Sequence, residues 1–165
     1  MSRKTARKHI LNIVFQAEFD VDVAIEQIMN TYDEEYKTTA DVTDAQVDEE
    51  RLLDMDEDKI SRLRTIYKKD REFIIEEAKG IVENKEKIDS LISQGLENWD
   101  IDRLSKVDLS ILRIAVYEIL FADDIPNAVA ANEAVQLAKQ FSEDKAPGFI
   151  NGVLGKVIEL SEKGE

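Results

Sequence analysis

The sequence predicts an all-α protein of about seven helices in two packed bundles. Apolar residues recur at spacings of three and four along most of the 165-residue chain, which is the pattern of amphipathic helices. Two prolines and six glycines are few helix breakers, and 43% hydrophobic residues suffice for a core. We expect one domain over residues 1–165, divided into an N-terminal bundle (1–100) and a C-terminal bundle (101–165).

The N-terminal half shows helical patterns on either side of a polar segment. Residues 3–19 and 21–29 each place apolar side chains on one face, and the pattern returns over residues 60–84. A continuation ends near Gly95 and Trp99. Residues 33–58 are acidic and hold few large apolar side chains, so we expect an inserted, mobile or partly helical segment there.

Three further helices are predicted in the C-terminal half. Ser105 is followed three residues later by Asp108, which is the spacing of a capping box before an apolar run. Pro126 is typical of the first turn of a helix, and the last helix is expected to begin near Pro147.

Charge is unevenly distributed along the chain. The net charge is -14, yet residues 1–17 carry +4, residues 18–59 carry -13 and residues 60–165 carry -5. The four cations at the start are Arg3, Lys4, Arg7 and Lys8. Because binding responds to the local charge, the first two turns of the first helix are a candidate phosphate-binding patch. The alternative is a set of ordinary solvated charges.

The sequence holds little catalytic or metal-binding equipment. It has one histidine, no cysteine, no Gly-rich phosphate loop and no nucleophile elbow, so we expect neither enzymatic activity nor a cofactor. Asp54, Asp56 and Asp58 resemble the start of a calcium loop, but Lys59 occupies the position that requires glycine. A metal site is therefore not expected.

No segment resembles a membrane anchor or a secretory signal. No apolar run approaches the roughly 20 residues that span a bilayer, and polar residues interrupt the sequence after the basic start. The absence of cysteine fits a reducing compartment, so a cytoplasmic location is expected.

Three segments carry recognisable motifs: "LRIAVYEILFADDIPNAVAANEAVQLAKQF" (112–141), "FINGVLGKV" (149–157) and the Arg-containing start "RKTARKHILNIVFQAEF" (3–19). In this order they resemble the NusB family of transcription antitermination factors. The resemblance covers most of the chain outside residues 33–58. It implies two helical bundles and an RNA-binding factor. With NusE, a small-subunit ribosomal protein, the family binds boxA RNA and helps RNA polymerase to read through terminators, notably in ribosomal RNA operons.

The resemblance also implies roles for single residues. The four cations of the first helix become RNA contacts, and Phe149 becomes a surface on which an unpaired base can stack, unless it serves only helix packing. Phe15 occupies the family's first-helix aromatic position and contacts RNA or partner, or else lies in the core. Gly148 stands where family members often carry lysine, and Lys145 is a candidate replacement.

Four polar or small residues have expected roles in the same half. Asp108 matches an acidic family position near the NusE–RNA surface, although helix capping alone explains it. Asn132 and Asn151 are expected to be buried amides that bond to backbone, and Gly152 is expected to let helices approach closely.

The leading interpretation is thus a factor that binds boxA-type single-stranded RNA with NusE in an RNA polymerase antitermination complex. A homodimer that hides the basic surface is also compatible with the sequence. One alternative is a helical protein–protein adaptor that binds no RNA. Another is the NusB-like domain found on ribosomal RNA methyltransferases, which we discount because no cofactor-binding domain follows. The acidic insert either competes with RNA or is a solubilising loop.

Overall fold

The computed structural model describes residues 3–17, 20–40, 57–97 and 99–163. In these ranges the chain forms seven α-helices and a short 3-10 helix, and no strand. The helices are α1 (Arg3–Gln16), α2 (Val21–Ala40), α3 (Glu57–Glu83), α4 (Lys85–Gly95), α5 (Lys106–Phe121), α6 (Asn127–Phe141) and α7 (Ala146–Lys163), with the 3-10 helix (Ile101–Arg103) before α5. The predicted all-α class is confirmed.

The helices group into two compact units, residues 1–76 and 77–165. The division falls within α3, which continues without a break from Glu57 to Glu83. The sequence instead suggests a division at residue 100, where the helical pattern is interrupted. Among the described residues, no helix is long and apolar enough to cross a membrane.

In the first unit, α1 packs against α2. The predicted apolar face of α1 is buried through Ala6, Ile10, Leu11, Ile13 and Val14. Asp20 begins α2, because its carboxylate oxygen accepts hydrogen bonds from the backbone N–H groups of Asp22 (3.0 Å) and Val23 (3.2 Å). The helix extends to Ala40, so the acidic segment is partly helical, while residues 41–56, including Asp54 and Asp56, lie outside the described residues.

The second unit is built around α5, which packs against α4, α6 and α7. Every residue from Ser110 to Val116 is buried. The Ser105 half of the predicted capping box is confirmed, because the Ser105 hydroxyl accepts a hydrogen bond of 3.1 Å from the backbone N–H of Asp108. This bond satisfies one of the free donors at the start of α5 and sets where the helix begins.

The burial of α5 carries one charged side chain into the interior. Arg113 is almost fully buried, and its Nε and Nη2 donate hydrogen bonds to the two carboxylate oxygens of Asp89, at 2.8 and 2.9 Å. Such a two-pronged pair joins α5 to α4 and neutralises the buried charge.

The expectation that Gly152 lets helices approach closely is wrong. Close packing against a glycine occurs at Gly80 instead. A Cβ on Gly152 would meet nothing within 4 Å, whereas a Cβ on Gly80 would lie 2.6 Å from the Tyr117 ring. The expectation of buried amides is also wrong, because Asn132 and Asn151 are exposed. Each asparagine lies on the solvent side of its helix. The spacing of the apolar residues does not specify on which side of the buried face a neighbouring polar residue falls.

We predict that Gly80→Ala destabilises the protein by roughly 1–3 kcal/mol, because the new methyl group collides with the Tyr117 ring. The control is Gly155→Ala on α7, where nothing lies within 4 Å and alanine should add about 0.5–1 kcal/mol through helix propensity. Urea unfolding of both variants measures the difference. Equal and positive shifts would contradict the packing of α3 against Tyr117.

Removal of the Asp89 carboxylate should leave the Arg113 charge buried without its partner. We predict that Asp89→Ala lowers the free energy of unfolding by roughly 2–4 kcal/mol. Glu86→Ala, at an exposed position of α4, should cost no more than about 1 kcal/mol and controls for loss of a helical carboxylate. Similar unfolding midpoints for the two variants would show that the ion pair does not stabilise the second unit.

Candidate nucleic-acid interface

The basic start of the chain lies on the first two turns of α1. Arg3 and Lys4 are exposed and Lys8 is half-buried, whereas Arg7 is only 3% exposed. The hydrophobic face of α1 includes the position of Arg7, between Ala6 and Ile10, which accounts for its burial. Three of the four predicted cations therefore reach the surface directly.

An aromatic ring from α3 organises two of these cations. The Arg3 guanidinium carbon lies 3.8 Å from the centroid of the Phe73 ring, and that of Arg7 lies 6.0 Å away. Both distances are within the range of cation–π attraction. A guanidinium stacked on a ring keeps its N–H groups in plane at the edge, where they can donate to an anion. Phe73 thus restrains the Arg3 side chain by contact with its guanidinium group.

Phe15 lies apart from this patch. It is 38% exposed, which is more than a core side chain allows. It lies twelve residues after Arg3, or roughly 18 Å along the axis of α1. The structure does not bring Phe15 together with the cations of the first two turns.

A second cluster of predicted residues lies in the other unit, where α6 ends and α7 begins. Lys145 is exposed just before α7, and Phe149 is half-buried in its first turns. The Phe149 ring contacts Trp99 edge to face, with ring centroids 6.4 Å apart and an interplanar angle of 69°. Trp99 is the more exposed ring, at 55%.

Asp108 joins two helices within this cluster. Its backbone N–H donates to the Ser105 cap, and its carboxylate accepts a hydrogen bond of 2.5 Å from the Ser142 hydroxyl at the end of α6. The side chain is half-buried. Asp108 therefore lies at the capped start of α5, as the sequence predicts, and its side chain also links this start to the end of α6.

Gly148 lies beside Phe149 on the outer face of α7. A Cβ there would meet nothing within 4 Å, so the position has room for a larger side chain. Lys145 lies three residues earlier and is exposed, which places a cation near the position where the resemblance expects one.

From the sequence, Phe73 and Trp99 were not identified as candidate site residues, although each belongs to one of these two clusters. Phe73 counts there only as an apolar position of α3, and Trp99 only as the end of a helical stretch. Spacing cannot show that Phe73 meets a side chain seventy residues earlier. A lone tryptophan in a polar turn is the one signal that could have marked Trp99.

Comparison with known proteins identifies the family of this chain. A family model described as the NusB family matches residues 4–159. The chain belongs to the NusB family. A transcription antitermination protein NusB of Clostridium botulinum is 42% identical over 160 residues, which cover 96% of this chain and all of that protein. The NusB of Acetivibrio thermocellus is 38% identical and covers 97% of this chain and 90% of its own length.

Solved NusB structures share the fold. A T. maritima NusB structure aligns with a TM-score of 0.68 at 31% identity, covering 96% of this chain and 92% of that one. A structure of the antitermination factors NusB and NusE in complex with dsRNA aligns with a TM-score of 0.62 at 22% identity, covering 96% of both chains. At this level of identity, the alignment with the NusB–NusE–dsRNA structure shows a shared fold.

We predict that the hydrogen bond between Ser142 and Asp108 is worth about 1–2 kcal/mol of coupling, because one partner is charged and half-buried. A double-mutant cycle of Ser142→Ala and Asp108→Ala, followed by chemical unfolding, measures this coupling. If the two effects add to within about 0.5 kcal/mol, the bond does not stabilise the junction of α5 and α6.

Proposed function

We propose that this NusB-family chain is an RNA-binding transcription antitermination factor. It acts with NusE on boxA-type single-stranded RNA and promotes read-through of terminators by RNA polymerase, notably in ribosomal RNA operons. Family membership supports the antitermination role, and the solved complex of NusB and NusE with dsRNA supports NusE and RNA as classes of partner. The observation that carries RNA binding is the cationic start of α1 in an otherwise acidic chain.

The first two turns of α1 supply the phosphate contacts in this proposal. Arg3, Lys4 and Lys8 present their charges at the surface, and Arg7 supports the patch from beneath, beside Phe73. Each phosphate that a cation neutralises releases counterions, so affinity falls with salt. Three or four contacts on single-stranded RNA predict a slope of roughly -2 to -3 in log affinity against log salt.

The junction of α6 and α7 supplies base contacts and partner contacts. Phe149 and Lys145 are proposed to meet RNA, Phe15 to meet RNA or NusE, and Asp108 to lie near NusE. Base stacking and base-edge contacts give sequence choice, whereas phosphate contacts only position the strand. With four clustered cations against a net charge of -14, this chain alone should bind RNA weakly, and NusE should strengthen the complex.

The proposal is tested by fluorescence anisotropy of a labelled boxA-type RNA at three salt concentrations, with and without NusE. We expect tighter, sequence-selective binding with NusE and a salt slope that falls by about one in Lys4→Gln. Lys85→Gln, which removes an exposed cation on α4, is the control for net charge. Binding that is insensitive to salt and to Lys4 would refute RNA binding through α1.

The same experiment discriminates the second candidate, a protein–protein adaptor. The exposed side chains of Phe15 and Trp99 are the observation that favours it, since exposed aromatic residues are enriched at protein interfaces. An adaptor binds NusE in a pull-down but leaves RNA anisotropy unchanged at every salt concentration.

We predict that Gly148→Lys strengthens RNA binding about three- to tenfold, because it adds a cation beside Phe149 at a position open to solvent. Gly148→Gln controls for side-chain length and helix propensity without charge. Anisotropy at low and high salt should show a steeper salt slope for Gly148→Lys only. The same affinity for both variants would place RNA away from the start of α7.

A further inference from the structure

Trp99 is a large aromatic side chain that is mostly open to solvent. Its indole is 55% exposed, and its contact with Phe149 is edge to face, so the Phe149 ring braces Trp99 without stacking over it. It is the one tryptophan of the 165-residue chain. A large aromatic surface held at the rim of a cleft and open to water is the arrangement that accepts another flat ring.

Two clefts flank the Trp99–Phe149 pair, and their charges differ. The α7 cleft, of about 650 Å³, holds Glu97, Glu159 and Lys156. The Lys156 ammonium lies 3.7 Å from a carboxylate oxygen of each glutamate. The single cation of this cleft is therefore shared between two acids, and the cleft is net negative. A phosphate is therefore less favoured there than in the α5 cleft, whose two carboxylates are balanced by two cations.

The α5 cleft, of about 500 Å³, lies on the other side and also contains both rings. Arg103 and Lys145 are its two cations, and Asp108 and Glu143 are its two carboxylates. In the part of the chain that the structure describes, neither Arg103 nor Lys145 forms an ion pair. Their charges are available to phosphates that flank a bound nucleotide.

The carboxylates of the α5 cleft suit one class of base. The Asp108 carboxylate accepts a hydrogen bond from Ser142, but a carboxylate has about four acceptor sites, so it can accept another. Adenine, cytosine and guanine each carry an exocyclic amino group that donates to a carboxylate. Uracil offers a ring N–H only between two carbonyl oxygens, which a carboxylate repels.

We propose that the α5 cleft binds one unpaired RNA base, stacked on Trp99, and that its carboxylates favour a base with an exocyclic amino group. This inference rests on the proposed function, since it names the nucleotide site within the RNA-binding surface. Trp99 supplies the stacking surface, Phe149 holds the indole, and Arg103 and Lys145 contact the adjacent phosphates.

The single tryptophan makes the site observable by itself. The protein is labelled with 5-fluorotryptophan, and the one ¹⁹F resonance is followed during titration with A6, C6 and U6 oligoribonucleotides and with boxA-type RNA, with and without unlabelled NusE. We expect A6, C6 and boxA-type RNA to shift the resonance, and U6 to shift it clearly less. Anisotropy of the same RNAs, measured in parallel, reports total binding.

Three variants accompany the titration. Trp99→Leu should weaken RNA binding roughly five- to hundredfold, and Trp99→Phe should retain most of the affinity, because a ring remains for stacking. The salt slope contributed by α1 should be unchanged in both. Phe121→Leu, which removes an exposed ring at the other end of α5, should bind as the unaltered protein does. Because Trp99 is exposed, thermal unfolding should show that the variants fold.

The outcomes separate this inference from the function on which it rests. RNA that binds by anisotropy without moving the ¹⁹F resonance, and with equal affinity for Trp99→Leu, would overturn the base site and leave the proposed function intact. A resonance that responds to NusE alone, with no further change on RNA addition, would identify a protein site instead. Equal responses to U6 and C6 would refute the selection for an amino group. No RNA binding under any condition would overturn both proposals.

Discussion

The enclosure of α5 is the constraint on which the second unit depends. A helix buried from Ser110 to Val116 must carry Arg113 inside, and a buried guanidinium requires a carboxylate of matching geometry. Asp89 supplies it, which holds α4 against α5. The Ser105 cap sets where α5 begins, and Asp108 then reaches Ser142 at the end of α6. The position of the candidate RNA surface at the start of α7 follows from these contacts.

Two patches are proposed to contact RNA, one in each unit, and they differ in chemistry. The cations lie on α1, where they and the Phe73 ring form the patch that we propose for phosphates. Aromatic surface lies beside α7, where Trp99 and Phe149 meet. Phosphate contacts position a strand and base contacts select it, so neither patch suffices for specific binding. The net charge of -14 weakens any purely electrostatic association and makes a second partner useful.

Much of the fold could be predicted because helices are local. Periodicity indicated the helices, and the spacing of Ser105 and Asp108 marked the cap that the structure shows. The wrong expectations concerned the burial or exposure of single residues. Periodicity shows roughly which face of a helix is buried, but it does not decide whether a residue at the boundary of that face is buried or exposed. The burial of Arg7 and the exposure of Asn151 therefore could not be predicted. The contact of Phe73 with Arg3 depends on packing between distant segments, which no spacing encodes.

The central claim is that RNA contacts both the start of α1 and the aromatic corner beside α7. Ultraviolet cross-linking of a 4-thiouridine-containing boxA-type RNA to the complex with NusE, followed by peptide mass spectrometry, tests it most directly. The account predicts cross-linked peptides that contain residues 3–8 and peptides that contain Trp99 or Phe149. Cross-links confined to NusE, or to other surfaces of this chain, would contradict it.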